Sequence, residues 1–243
     1  MEMNMAKAVI KSLEPTYHSL RFERKFVYEQ AQLEDLIYGT VLSNSFGFNE
    51  IYHRRMVNNI YYDDQAMSFY TQNVAGDSHR EKYRLRWYGD DFETIKNPTL
   101  EVKKKYGDVG DKFSFKMKGF ELSLLKMTSQ EAYQRTLDQL KKDADATVYS
   151  TMQRLQPTLY NAYERRYFLS NCGRFRITLD YNMHFYNPNI TTFMDSKRSL
   201  DDIVLELKYE REHDYDARQL AQEIDARLSK NSKYVRGVEI NLP

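Results

Sequence analysis

Six segments of this chain carry charge at every second position, and that spacing is where chemistry could reside. Arg21, Glu23 and Lys25 alternate in one run, and Lys82, Arg84 and Arg86 in another. Glu101, Lys103 and Lys105 form a third, and Lys112, Lys116 and Lys118 oppose Phe113, Phe115 and Met117 in a fourth. Arg174, Arg176 and Asp180 share a fifth, and Glu206, Lys208 and Glu210 a sixth. On a β-strand, alternate side chains share a face, so each run predicts one charged and one apolar face. A single such strand fits a half-buried sheet with its charges in water. Six together, with Glu-x-Lys in three of them, point instead to a charged interior. Lys and Arg crowded at low dielectric repel one another, and a polyanion would neutralise them. Arg suits bidentate phosphate contact, while Lys acts as a point charge. Interleaved Glu supplies hard oxygen ligands for Mg²⁺ or Mn²⁺, which bridge phosphate oxygens. The substrate class expected is a linear or nucleotide-linked phosphate chain with a divalent cation.

The elements that must position these residues are mostly strands. They are expected over 20–28, 57–63, 79–88, 99–106, 112–118, 161–169, 173–181 and 203–209, with a further candidate at Val235–Ile240. Helices are expected at 30–44, at 128–155 (as one or two, with Thr128 or Ser129 as N-cap) and at 216–228. The fold class expected is α+β: a closed antiparallel eight-stranded β-barrel, its lumen charged and its helices packed outside. Arg84, Arg86, Arg176, Glu206 and Lys116 would share that lumen. Tyr83 and Trp87 would be core residues under a helix. Residues 1–18 are expected to be a tail, and residues 19–243 one domain.

Composition bounds the alternatives. With 36 basic and 35 acidic residues the 243-residue chain has a net charge of +1, unlike a protein that coats nucleic acid. One cysteine, Cys172, excludes an internal disulfide and a cysteine-rich zinc site. Histidines at 18, 53, 79, 184 and 213 show no metal-binding spacing. No apolar run approaches the ~20 residues of a membrane span. The expected location is cytoplasmic. The Gly107–Lys112 run is too short for a Walker loop and is expected to form a hairpin turn. Arg54-Arg55 is either a phosphate patch at the opening of the lumen or solvated charge. A tyrosine near that opening could stack on adenine, but no particular one stands out.

The ordered set of motifs resembles a known family. The Glu-x-Lys of the first strand, Asn59–Asp63, Lys82–Arg86, Glu101-Val102-Lys103, Lys116, Tyr163-Glu164-Arg165, Arg174–Asp180, Leu205–Lys208 and Ser232-Lys233-Tyr234 occur in the order seen in the VTC (vacuolar transporter chaperone) domain, of the triphosphate tunnel metalloenzyme superfamily. The resemblance implies an eight-stranded tunnel that makes polyphosphate from ATP or another nucleoside triphosphate with Mn²⁺ or Mg²⁺. By position it implies phosphate contacts at Lys82, Arg84, Arg86, Lys103, Lys116, Arg165, Arg176, Lys230 and Lys233, with Lys208 beside them. Glu206 would be the metal ligand, and Glu23 and Glu101 further acidic groups on the wall. The family's eukaryotic protein also has a phosphoinositide-binding domain and membrane helices that this sequence lacks, so export of a product would need a separate membrane partner. Hydrolysis of triphosphate or nucleoside triphosphate, and non-catalytic sensing of polyphosphate or nucleotide, are the alternative readings.

Overall fold

A computed structural model describes residues 21–29, 31–89, 92–106 and 109–241. Residues 1–18, Gly107 and Asp108, on which two of the expectations above fall, lie outside these.

The strands are β1 (Arg21–Tyr28), β2 (Phe48–Asp63), β3 (His79–Tyr88), β4 (Ile95–Lys96), β5 (Thr99–Tyr106), β6 (Val109–Lys116), β7 (Glu121–Leu122), β8 (Gln156–Ser170), β9 (Arg176–Tyr186), β10 (Arg198–Leu200) and β11 (Ile203–Glu210). Helix α1 (Leu33–Leu36) runs into a π-helical stretch over Ile37–Leu42. It is followed by α2 (Ser68–Ala75), α3 (Ser129–Asp143), α4 (Ala146–Met152), α5 (Asp214–Gln222) and α6 (Lys233–Asn241). The 128–155 segment is thus two helices. Thr128 opens α3 with a capping box closed by Glu131, and Asp145 caps α4.

One antiparallel sheet has the order β1-β11-β9-β8-β2-β3-β5-β6, with β10 added beside β9, and a small β4–β7 pair stands apart. The sheet is not closed. Among the described residues no ladder joins β1 to β6, which overturns the expected closed barrel. The reason lies at the edge of β1. There Phe26 bridges to Leu228, and the Ser229 N–H donates to the Lys25 carbonyl at 2.8 Å. Backbone groups that β6 would need are therefore already engaged. The gap is spanned by side chains instead. Lys25 Nζ donates to the Asn231 carbonyl at 3.0 Å, and Lys82 Nζ of β3 reaches Ser232 Oγ at 3.1 Å. Two adjacent residues thus touch both halves of the curled sheet, leaving a groove rather than a sealed tunnel.

Two apolar clusters cover the outer face. Tyr83, Leu85, Trp87, Leu100 and Val102 pack beneath Tyr133, Leu137 and Leu140 of α3 and Met152 of α4. Phe168, Ile177, Leu205 and Leu207 meet Ile37, Val41 and, from α5, Ala217 and Leu220. Each large side chain buried this way stabilises the fold by about 1.5–3 kcal/mol.

The last helix departs from the expectation of helices outside only. The 235–240 segment is part of α6 rather than a strand, because Tyr234, Gly237 and Val238 are all buried, and that i, i+3, i+4 spacing shares one face only on a helix. That face lies against Val57, Leu159, Tyr163, Phe185 and Val204 on the inner side of the sheet. Gly237 permits the approach: a Cβ there would lie 2.4 Å from Phe185 Cδ1 and 2.5 Å from Leu159 Cδ2. Asp63 locks the helix in place. Its buried carboxylate accepts from Tyr234 Oη at 2.5 Å and from the Phe69 and Tyr70 N–H groups at the start of α2.

Candidate active site

Cross-strand partners in antiparallel register lie on the same face. Lys82 pairs with Lys103 and Lys103 with Lys112; Arg84 pairs with Glu101; Arg86 pairs with Thr99 and Thr99 with Lys116. In the other half Glu23 pairs with Lys208, Lys25 with Glu206, Lys208 with Arg176, and Arg165 with Asp180. The two halves meet at β2, where Asn59 pairs with both Arg86 and Asn161. The inner face of the curled sheet therefore carries two charged stretches in which cations outnumber carboxylates, joined through Asn59 and Asn161 beside the apolar patch that α6 covers.

Three carboxylate centres organise it. Glu101, 6% exposed, receives Arg84 at 2.7 Å, Arg86 at 3.5 Å and Lys112. Burial opposes its charge, but the two guanidiniums and the ammonium outweigh that and hold it well below the usual carboxylate range. Asp180, fully buried, accepts both arms of Arg165 at 2.5 and 2.7 Å and Lys233 Nζ at 2.5 Å. Against the cost of burial, these cations lower its pKa to about 2. Glu206 meets Lys208 at 3.0 Å, Arg165 at 3.6 Å and Lys25 at 3.8 Å. Burial again opposes ionisation, yet Lys208, a hydrogen bond with Glu23 and Lys25 keep its pKa well below normal. Glu23 is bound by Lys25 at 2.8 Å.

Tyr163 links the two halves. Its hydroxyl accepts from Arg86 at 3.2 Å, and Arg165 and Lys233 lie 5.4 and 4.8 Å from its ring centroid. Burial alone would raise its pKa, but Arg165 and Arg86 reverse the direction. Arg86 is further fixed by Asn59 at 2.9 Å.

The candidate residues fall into three groups. Arg84, Arg86, Arg165, Lys208 and Lys233 are held by carboxylates. Arg176, Lys103 and Lys116 are accessible on the same face and have no ion pair among the described residues. The pKa of Lys82, held by Ser232, is pushed well down by burial and by Lys25, Arg84 and Lys103; Lys103 reaches solvent but is hemmed in by the walls of the groove, and that desolvation, with Arg84 and Lys208 adding to it, brings it to about 8 although Glu23 and Glu206 pull the other way. Lys230 is not with the others. It is exposed, and its Nζ lies near Gly76 at the end of α2.

Sequence reasoning passed over Lys25, Asp180, Lys112, Tyr163 and Asn59 as site residues. Lys25, Asp180 and Lys112 share the alternation of residues that were chosen. Tyr163 and Asn59 lie within motifs that carry the family resemblance, but they bear no charge and fall at positions that also suit a core. The crowd of cations expected to repel one another is partly neutralised from within, since Arg84 has Glu101 and Arg165 has Asp180 in register beside it, and Arg86 also reaches Glu101.

The fold is α+β, and its defining feature is a curled antiparallel sheet that turns a basic, carboxylate-studded face inward. The sequence matches the VTC domain over residues 9–241, and the chain belongs to that family. No curated protein matches it. Among solved structures it is similar to a Hippeastrum protein named for an adenylyl cyclase and described as having a dominant triphosphatase activity (11% identity, TM-score 0.50, 91% of this chain and 98% of that one). Others are the PH1819 protein of Pyrococcus horikoshii OT3 (11%, 0.48, 90% and 96%) and a candidate adenylate cyclase of Vibrio parahaemolyticus (13%, 0.46, 88% and 95%). The likeness to the Hippeastrum protein is one of fold.

Membership of this family makes the chain a triphosphate-tunnel-type domain and implies a divalent cation. The donor set fits one of the hard type. Among the described residues no three His, Cys, Asp or Glu side chains converge, so Glu101 does not join Glu206 and Glu23. Glu206 and Glu23 both contact Lys25 and Lys208 and so stand together, and one or two carboxylates completed by substrate phosphates is the usual Mg²⁺ arrangement. Among the described residues no helix is long and apolar enough to cross a membrane.

Proposed function

We propose that this domain is a metal-dependent phosphotransferase that makes polyphosphate from ATP along its inner groove. The observation that carries the reading is the excess of fixed cations over carboxylates on one face, in register across facing strands. A phosphate chain laid along the groove would meet Lys82 and Lys103, then Arg84 and Arg86, then Arg165 and Arg176. Glu206, with Glu23, would hold Mn²⁺ or Mg²⁺. The bound cation would neutralise charge on the transferring phosphoryl group and its neighbours.

Transfer of this kind needs positioning and charge stabilisation more than proton abstraction. An acceptor phosphate is already an anion. Hydrolysis instead requires a group that takes a proton from water, and such a base works best with a pKa near the operating pH. Glu101 and Glu206 are held far below it by their cations, which makes them weak bases and good anchors. Chain elongation needs no such base, and it is the reading the cation-lined groove supports without assigning a further role to Glu101 or Glu206.

The test is an incubation of the purified protein with ATP and Mn²⁺, followed by gel separation and a phosphate assay. Chains of many phosphates are expected. Free phosphate without chains would replace this reading by a triphosphatase, and tight binding without either product would replace it by a sensor. A separate membrane partner for export is part of the proposal. Co-purification of this chain with a polytopic membrane protein would be its first sign.

A further inference from the structure

Arg55 differs from the central guanidiniums. It pairs in register with Arg165 on the inner face, yet among the described residues no carboxylate meets it. Its guanidinium instead lies among three tyrosine rings, 4.9 Å from the centroid of Tyr52, 5.6 Å from Tyr167 and 5.9 Å from Tyr88. Tyr52 and Tyr167 also meet edge to face at 5.7 Å. In a regular strand residues 52 and 55 would point to opposite faces. Two register shifts in β2, between Glu50 and Tyr52 and between Tyr52 and Arg55, bring them together. Arg54, by contrast, is drawn to Glu164 at 2.5 Å and leaves the groove.

This cluster forms one mouth of the groove. Tyr52 is 51% exposed and Tyr88 is 56% exposed, so each offers a ring to solvent. Next to Tyr88 lies a hollow of about 280 Å³ bounded by Arg86, Lys96, Asn97, Thr99 and Lys116. The mouth therefore combines stiff aromatic surface, an uncompensated guanidinium and cations leading inward. Flat rings on a cationic base are suited to stacking with a planar heterocycle, and a guanidinium in the same stack adds cation–π attraction.

The geometry points to Tyr52, Arg55 and Tyr88 as the seat of the substrate's nucleobase, with the triphosphate running inward past Arg165 and Arg86. The inference rests on the groove being the triphosphate site. Recognition is by ring area, so purine nucleotides are favoured over pyrimidine ones whatever their edge groups.

Titration calorimetry in EDTA, where turnover is suppressed, would compare ATP, UTP and tripolyphosphate. The double variant Tyr52→Ala/Tyr88→Ala is expected to weaken ATP on the order of tenfold and to leave tripolyphosphate within about twofold. Tyr52→Phe/Tyr88→Phe should keep the wild-type order, ATP tighter than UTP. Both residues are exposed, and an unchanged melting temperature would confirm that the Ala variant is folded. Equal weakening of ATP and tripolyphosphate, or no weakening of either, overturns the nucleobase assignment while the phosphate groove stands. Failure of the wild type to bind tripolyphosphate overturns the groove, and the nucleobase seat with it.

Discussion

Arg165 and Asp180 stand opposite each other across β8 and β9, and the guanidinium closes on both carboxylate oxygens at 2.5 and 2.7 Å. Asp180 has no accessible surface, so this pair is part of the fold as well as of the groove. Removing one partner of a buried pair costs about 3–5 kcal/mol. Arg165→Ala is expected to lower the melting temperature of the free protein by roughly 6–20 °C, read by calorimetry. No change would show that Lys233 alone satisfies Asp180.

Arg176 is the contrasting case. It is exposed on the same face, next to Lys208 in register, with no ion pair among the described residues. Arg176→Ala is expected to leave the free protein within about 0.5 kcal/mol of wild type. It should weaken tripolyphosphate by about one to two decades. A thermal-shift titration separates the two effects, and a drop in the melting temperature of the free protein would assign Arg176 a structural role instead.

Glu206→Gln keeps volume and removes charge beside Lys208, Lys25 and Arg165. Metal-dependent turnover is expected to disappear across a full Mn²⁺ titration. Tripolyphosphate binding in EDTA should persist or tighten, because three cations lose a competitor. Retained turnover would remove Glu206 from the reaction.

Lys103 should give the groove a pH dependence. Its pKa near 8 lies below the 10.5 of a free lysine, so the native state disfavours its proton. Between about pH 8 and 10.5 the unfolded chain holds more protons at this site, and the contribution of Lys103 to stability rises with pH. Phosphate binding needs the proton and should fall over the same window. Lys103→Arg stays charged throughout and is expected to flatten the decline in tripolyphosphate affinity between pH 8 and 9. Identical profiles for the two proteins would place Lys103 away from the bound chain.

Gly237→Ala puts a methyl group into Phe185 and Leu159, both without accessible surface. The expected cost is about 1–3 kcal/mol, measured by urea unfolding. An unchanged midpoint would mean that α6 does not sit as tightly on the inner face as its contacts indicate.

The sequence by itself determined the central strands and their polarity, though not the full length of β2, which begins at Phe48 rather than 57. Alternation in 82–86, 101–105 and 206–208 is a local property of the chain, and a period of two admits only one assignment of faces. It also determined that the substrate should be anionic, because Lys and Arg are unequivocal in type. Closure, compensation and the last helix were decided elsewhere. Whether β1 meets β6 depends on Leu228 and Ser229, some two hundred residues along the chain from β1, taking its edge. That Asp180 neutralises Arg165 and Lys233 depends on register between β8 and β9 and on where α6 comes to rest. The 235–240 segment carries a pattern short enough to suit either a strand or a helix. The apolar pocket left by Leu159, Phe185 and Val204 on the inner face selects the helix, because only a helix presents Tyr234, Gly237 and Val238 to it together.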